Sequence, residues 1–444
     1  MTFADSVRFL YSLGHELKVV KWDLERMRIL LGALGNPHRQ GRFVHVAGTN
    51  GKGSVCAMIE AALRADGFRT GLYTSPHLVN PRERICLAGE MISEAAWVGI
   101  FEEVHGAAER LIAAEAIDAH PSFFETVTAM AFLALAHACV EIAVLETGLG
   151  GRLDATNVVE QPEVAVITPI DFDHEAFLGS GIESIAAEKA GILKAGRLAV
   201  FAAQRPEALR VLENRALELD IPVRQSATWR VEDLVCDRYG SRFTLVADRE
   251  IPIACPLAGK HQVENARTAV AALALMDVPA EAIHAGIAAV RWPGRLERVA
   301  GHAGIILDGA HNPAGARALA DFIREFYADE PVRIIFGAMR DKAVEEVTNT
   351  LFPLATEIIL TAPKQPRALN PEALAEVVDD ARVRVADSVQ VALKMAEEMD
   401  KQMPMTTFVT GSLFLVGEAR ERLSGSGGTG SAGAATLSWP GQLP

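Results

Sequence analysis

An apolar run, Phe43-Val44-His45-Val46-Ala47, leads directly into Gly48-Thr49-Asn50-Gly51-Lys52-Gly53-Ser54, and residues 55–65 behind it carry a helical pattern. No other stretch limits the possible folds as strongly. A buried strand, a glycine-rich turn and a helix N-terminus, in that order, direct backbone N–H groups at one point and favour an anion there. Lys52 adds a cation, and the Ser54 hydroxyl is the kind of oxygen that Mg²⁺ takes. The common phosphate loop has Lys directly before Ser or Thr, whereas here Gly53 stands between Lys52 and Ser54. The pattern predicts a nucleotide-phosphate site. The alternative is a turn that only redirects the chain.

The rest of the chain extends this start. With 444 residues there is enough sequence for two or three domains with their own cores. Short β-branched runs at 142–145 and 164–167 read as buried parallel strands, and 122–139 and 182–194 read as helices. Their alternation predicts an α/β, doubly wound nucleotide-binding domain with its ligand at the carboxyl ends of the strands. Residues 229–256 alternate differently, with charged turns, and read as a small antiparallel insertion. After Trp292-Pro293-Gly294 the pattern resets, with strand-like runs at 305–307, 332–336, 358–360 and 407–409. This predicts a smaller, Rossmann-like second α/β domain. The expected division is 1–293 and 301–423, with a hinge at 291–301 and a cleft between the two. Residues 424–444, rich in Gly, Ser and Ala, read as a disordered tail or fusion remnant.

Charge and cysteine usage narrow the function classes. A formal net charge of -14 argues against a nucleic-acid partner. Five scattered cysteines without a CxxC read as reduced thiols, which predicts a cytoplasmic protein. Asp5, Arg8, His15 and Glu16 interrupt any signal-peptide core, and no uncharged apolar run reaches the ~18 residues of a membrane span.

Several polar groups stand where such a sheet would present them. Glu146 closes a strand and precedes Thr147-Gly148-Leu149-Gly150-Gly151-Arg152-Leu153-Asp154. A carboxylate there suits Mg²⁺, and an edge charge in water is the alternative. Asp171-Phe172-Asp173-His174 follows the next strand and brings oxygen and nitrogen donors to the same edge. Lys189 has an apolar flank in Ile185, Ile192 and Leu193, and by itself reads as a lysine snorkelling to water. In the second unit, Asp308-Gly309-Ala310-His311-Asn312-Pro313 repeats the strand-turn-helix pattern. A helix cap accounts for Asn312 and Pro313 but not for Asp308 and His311.

Together these segments resemble the folylpolyglutamate synthase/dihydrofolate synthase branch of the Mur ligase superfamily. The match comprises the phosphate loop with its extra Gly53, Thr74-Ser75-Pro76-His77-Leu78, Arg82-Glu83-Arg84-Ile85, Phe123-Phe124-Glu125, the run from Glu146 to Asn157, and Asp173-His174. It continues through Glu188-Lys189-Ala190-Gly191-Ile192, His261-Gln262 with Asn265, Gly294-Arg295, the Asp308 segment and Gly411-Ser412, in order from about residue 5 to 420. The resemblance implies an ATP-dependent ligase that activates a carboxylate as an acyl phosphate and passes it to L-glutamate. It implies dihydropteroate and tetrahydrofolate as acceptors, two Mg²⁺ sites, a monovalent cation and a monomer.

By residue, the resemblance gives Gly48, Thr49, Asn50, Gly51, Lys52, Gly53, Ser54, Asn265, Arg295 and Asp308 to ATP. It gives Ser54 and Glu146 to one Mg²⁺, and His174 with a carbamylated Lys189 to the second, which replaces the snorkelling reading. Lys52, Lys189 and His311 become the catalytic set, and Ser75, Pro76, His77, Phe124, Asp154, Ala155 and Ser412 the substrate set. The chain departs from the family at Asp341-Lys342-Ala343, where relatives often have Asp-Lys-Asp, and at Ile170-Asp171-Phe172, which adds an acid and an aromatic. Two alternatives stay open on the sequence: a related amide ligase for a peptidoglycan precursor or peptide, and a phosphate-loop protein that switches with nucleotide.

Overall fold

Val44, Val46, Val144, Val164 and Val166 lose all contact with solvent, because helices cover both faces of the sheet they build. The computed structural model describes residues 1–14, 23–340 and 342–425. Its first sheet contains β1 Arg42–Ala47, β2 Thr70–Tyr73, β3 Ile85–Leu87, β4 Glu90–Met91, β5 Ile142–Glu146, β6 Val164–Ile167, β7 Leu198–Phe201 and β8 Val223–Gln225. The order across it is β4-β3-β2-β5-β1-β6-β7-β8. It is parallel from β2 to β8, while β3 and β4 join antiparallel at one edge.

Alternation along β1 divides its side chains between two cores. Val44 and Val46 pack under the helix Lys52–Ala65, and Phe43 packs under the helix Phe123–His137. The three-stranded antiparallel sheet of β9 Arg230–Cys236, β10 Ser241–Val246 and β11 Glu250–Cys255 is the insertion expected at 229–256. It is no appendage, because Trp229, Phe243, Leu245, Ile251 and Ile253 join the core beneath the Lys52–Ala65 helix.

The second sheet takes β12 Glu297–Arg298, β13 Ile305–Leu307, β14 Val332–Phe336, β15 Glu357–Leu360, β16 Val383–Val385 and β17 Thr406–Thr410, in the order β12-β13-β17-β14-β15-β16. Only β12 runs antiparallel. Two of its strands differ from expectation. β16 is a short edge strand without an apolar run to mark it, and β12 lies inside the stretch expected to be a hinge.

Helix ends moved as well. The helix expected from residue 55 starts at Lys52, because Gly51 caps it at φ +83°, a left-handed conformation that suits glycine. The helix expected over 182–194 stops at Ala190, where Gly191 is pressed against the Arg152 backbone and Asn157 Nδ2 donates to its carbonyl at 3.2 Å. The expected tail begins with two residues of the helix Leu413–Gly425, and from 426 onward it lies outside the described residues.

Candidate active site

Four neighbouring strands, β2, β5, β1 and β6, end on one side of the first sheet and hand over four loops. These carry Ser75, Glu146 with the glycine run, the phosphate loop, and Asp171 to His174. Opposite them stand the loops after β13, β14 and β17 of the second sheet. Between the two lies a cavity of about 580 Å³, lined by Lys52, Glu146, Lys189, Arg295, His311 and Ser412 among others. That is within the range of small-molecule sites. Met27, Phe124, Leu153 and Ala155 give part of its wall an apolar surface.

The phosphate loop is held from below. Thr49 and Asn50 donate their backbone N–H groups to the Pro169 carbonyl, at 3.0 and 3.2 Å. Anion binding therefore falls to the first turn of the helix behind Gly51, whose N–H groups have no intrahelical partner. Lys52 Nζ donates to the Thr49 carbonyl at 3.3 Å and lies 4.0 Å from Glu146 Oε1. Ser54 is buried in the same turn. Gly53, the departure noted in the sequence, has a steric cause: the Trp292 indole comes within 2.7 Å of where a Cβ would stand. Asn265 rests on Gly51 from the helix Lys260–Leu275 and donates Nδ2 to Gln262 at 3.0 Å.

Burial raises the Glu146 carboxyl above its ordinary value, and Lys52 works against that rise. Its Oε2 accepts the Ser75 N–H at 3.1 Å. The glycine run behind it is stapled by Asp154, which accepts from the N–H groups of Gly148, Leu149 and Thr156 at 2.8 to 3.0 Å. Phe124 lies over Gly148, and Gly151 presses on the helix Ile182–Ala190 beside Glu188 and Lys189. That docking brings Lys189 inward. It is 4% exposed and donates Nζ to the Gly48 carbonyl at 2.8 Å, so it does not snorkel. Burial, reinforced by Lys52, lowers its pKa to about 7.

Asp173, which the sequence offers as one of several donors at this edge of the sheet, is the centre of the cross-cleft contacts. Lys342 Nζ donates to its Oδ1 at 2.5 Å and Asn312 Nδ2 to its Oδ2 at 3.2 Å, while His311 Nε2 lies 3.5 Å from Oδ2. Burial alone would raise this carboxyl, but the facing His311 and Lys342 hold it well below the carboxylate range. His174 sits at φ +53°, its N–H bound to Asp173 Oδ1 at 2.9 Å, and burial lowers its pKa to about 3. Asn312 also donates to Asn50 Oδ1 at 3.0 Å and caps the helix Pro313–Phe326. The added acid Asp171 accepts from Arg205 and Arg317, each at 2.7 Å, the latter from across the cleft.

Two expected residues are placed otherwise. His77 is absent from the cavity wall; its ring is buried between Tyr11 Oη at 3.0 Å and Arg84 Nε at 2.8 Å, and burial lowers its pKa well below the ordinary value. Asp308 also stands behind the wall, accepting the N–H groups of Leu296 and Ala310 at 3.0 Å each, and so fixes the chain entering β12. Ser75, Pro76, Phe124, Asp154, Ala155 and Ser412 do line the cavity. Of the Asp341-Lys342-Ala343 departure, Asp341 lies outside the described residues, while Lys342 supplies the ion pair to Asp173.

The Mur ligase middle domain matches residues 46–273, and the Mur ligase glutamate ligase domain matches residues 294–413. The dihydrofolate synthase/folylpolyglutamate synthase of Bacillus subtilis is 34% identical, over 91% of this chain and 95% of its own. The chain belongs to this family of Mur ligases. A folylpolyglutamate synthase of Mycobacterium tuberculosis, solved with ADP, superposes with a TM-score of 0.88 at 35% identity, covering 95% of this chain and 98% of that one. An FPGS–AMPPCP–folate complex gives 0.82 at 32% identity, over 95% and 100%. The chain is thus an ATP-dependent amide ligase, with the two-sheet α/β architecture of those relatives. No described helix of this ligase is long and apolar enough to cross a membrane.

Proposed function

We propose that this ligase joins L-glutamate to the carboxyl group of dihydropteroate and of reduced folates, consuming ATP, and that it works as a cytoplasmic monomer. The observation that carries the reading is the single cleft in which a phosphate loop, a buried carboxylate, a buried lysine and an apolar wall meet. The relatives' names supply the substrate class, and the solved FPGS–AMPPCP–folate complex supports a shared nucleotide and folate cleft.

The acceptor carboxylate attacks the γ-phosphorus, the bond to the ADP oxygen breaks, and an acyl phosphate forms. The glutamate nitrogen then attacks the acyl carbon, phosphate departs with the bonding pair, and the amine gives up its proton. Lys52 and the first-turn N–H groups hold phosphate oxygens where charge develops. Arg295 and His311 approach from the second sheet. His311 Nδ1 donates to the Gly309 carbonyl at 2.8 Å, which leaves Nε2 directed to Asp173 and the cleft. Phe124 and Ala155 offer a flat apolar surface to a pterin ring, and Ser412 faces the glutamate side. Two domains meeting over the acyl phosphate keep water from it. We place their boundary near Trp292 to Leu296, ahead of β12.

The two donor sets differ in how they suit Mg²⁺. Ser54 and Glu146 offer a hydroxyl and a carboxylate beside the phosphate position, and oxygen donors of this type fit the ion. His174 and an unmodified Lys189 offer two nitrogens, which do not. They fit once the Lys189 amine, which burial makes about half neutral near pH 7, has taken up CO₂ as a carbamate. When bound, the ions draw charge from the transferring phosphoryl group.

Phosphate release tests the reading, with ATP and Mg²⁺ and with dihydropteroate, tetrahydrofolate or neither, each with and without L-glutamate. Release that needs both an acceptor and glutamate is expected, for either acceptor. Release indifferent to all of them would sink it.

A further inference from the structure

Away from the cleft, His105 and Glu109 lie one turn apart on the helix Glu94–Ala113, and His120 faces them from the loop ahead of the helix Phe123–His137. One ligand atom from each lies within 4.8 Å of the other two. His105 Nδ1 and His120 Nε2 are 3.2 Å apart. Two imidazole nitrogens bound tetrahedrally at the ~2.0–2.1 Å typical of zinc would stand about 3.3 Å apart. His120 Nδ1 lies 2.9 Å from the Pro121 carbonyl. A carbonyl only accepts, so Nδ1 carries the proton and Nε2 presents its lone pair. A backbone carbonyl fixing the outer nitrogen is the usual support of a metal-bound histidine. Glu109 Oε1 is 4.0 Å from His105 Nδ1, and its side chain is 57% exposed, free to swing closer.

Aromatic packing sets both rings in place. Phe101 stacks on His105 at 5.5 Å and 13°, and Phe9 packs against His105 at 4.5 Å and His120 at 5.2 Å. An imidazole pair that shares one proton across 3.2 Å, with a carboxylate one turn away, has the make-up of a two-histidine, one-carboxylate site with an open fourth position once that proton is displaced.

We propose that His105, Glu109 and His120 bind a divalent transition metal of the zinc type, with water as fourth ligand. The ion would tie the 114–121 loop to the Glu94–Ala113 helix. That loop delivers Ser122, the cap of the helix that carries Phe124 to the cleft wall. The proposal stands on this geometry and not on the ligase reaction.

The test uses the tag-free full chain with Co²⁺ and Zn²⁺ alone, and no ATP or folate. Wild-type protein should develop the visible absorption of tetrahedral Co²⁺, lose it when Zn²⁺ is added, and gain thermal stability with Zn²⁺. Glu109→Gln removes a ligand from an exposed position, and His105→Phe keeps the aromatic stack. Each should weaken the metal by more than about tenfold, as loss of even supporting contacts does, and leave ligase turnover without added transition metal unchanged. Wild-type protein without the Co²⁺ bands, or bands and stabilisation that persist in both variants, would overturn the assignment.

Discussion

Lys189 is the residue whose surroundings decide most. Its pKa of about 7, against an ordinary 10.5, is set by burial first and by Lys52 second. The folded value lies below the unfolded one, so between pH 7 and 10.5 the unfolded chain holds a proton that the folded chain has released. Stability from this group therefore rises with pH across that window, by about 1.4 kcal/mol per pH unit, and its burial penalty is complete below pH 7. Denaturant midpoints in bicarbonate-free buffer should show the slope in wild type and a flatter one in Lys189→Met; equal slopes would mean that the amine titrates normally. In turnover, Lys189→Ala should fall by about 10²-fold or more. Bicarbonate should not restore it, whereas small carboxylates should do so in part. Full activity would remove Lys189 from the mechanism. The apolar flank of this lysine was legible in the sequence, but its direction was not. It turns inward only because Gly151 lets the glycine run dock on its helix. His77 teaches the converse: a motif places a residue in a loop and does not say which way its ring faces.

At the scale of elements, short runs rich in apolar residues marked several of the central strands, since β5 and β6 are almost wholly apolar and buried, and β1 and β14 are mainly so, with His45 and the ion-paired Arg333 the polar members buried among them. β12 and β16 escaped because a two- or three-residue edge strand leaves no periodic mark. The β9–β11 insertion was recognisable by its alternation, but its energetic role was not. Phe243 packs into the core that holds the helix behind the phosphate loop, while Leu234 faces solvent. Phe243→Ala should cost about 3–5 kcal/mol and lower nucleotide affinity with it, and Leu234→Ala should stay within ~0.5 kcal/mol. Urea titrations and ADP binding on the two variants check this; equal effects would make the insertion a separate unit.

For the whole molecule, the loop after β6 joins the halves. Asp171, between two half-exposed arginines, contributes about 0–1 kcal/mol per pair. Asp173, buried against Lys342, matters more, because removing one partner of such a pair costs ~3–5 kcal/mol. Its depressed pKa means that this contribution is complete at neutral pH and is lost progressively as pH falls below the ordinary carboxylate value toward the depressed one. Asp173→Ala should cut hydrogen-exchange protection in the first turns of the Pro313–Phe326 helix by about 100-fold; unchanged protection would show that the halves are held elsewhere. None of this was readable from sequence, since Asp173 and Lys342 are 169 positions apart and no local pattern links them. The indole over Gly53 has a consequence of another kind. Among the described tryptophans, Trp97 and Trp229 are sealed in cores, and only Trp292 touches the phosphate loop. The molecule therefore carries its own dye. Ultraviolet emission from Trp292 should change when ATP arrives, and that part of the response should be lost in Trp292→Phe, so that occupancy of the loop can be followed by light alone.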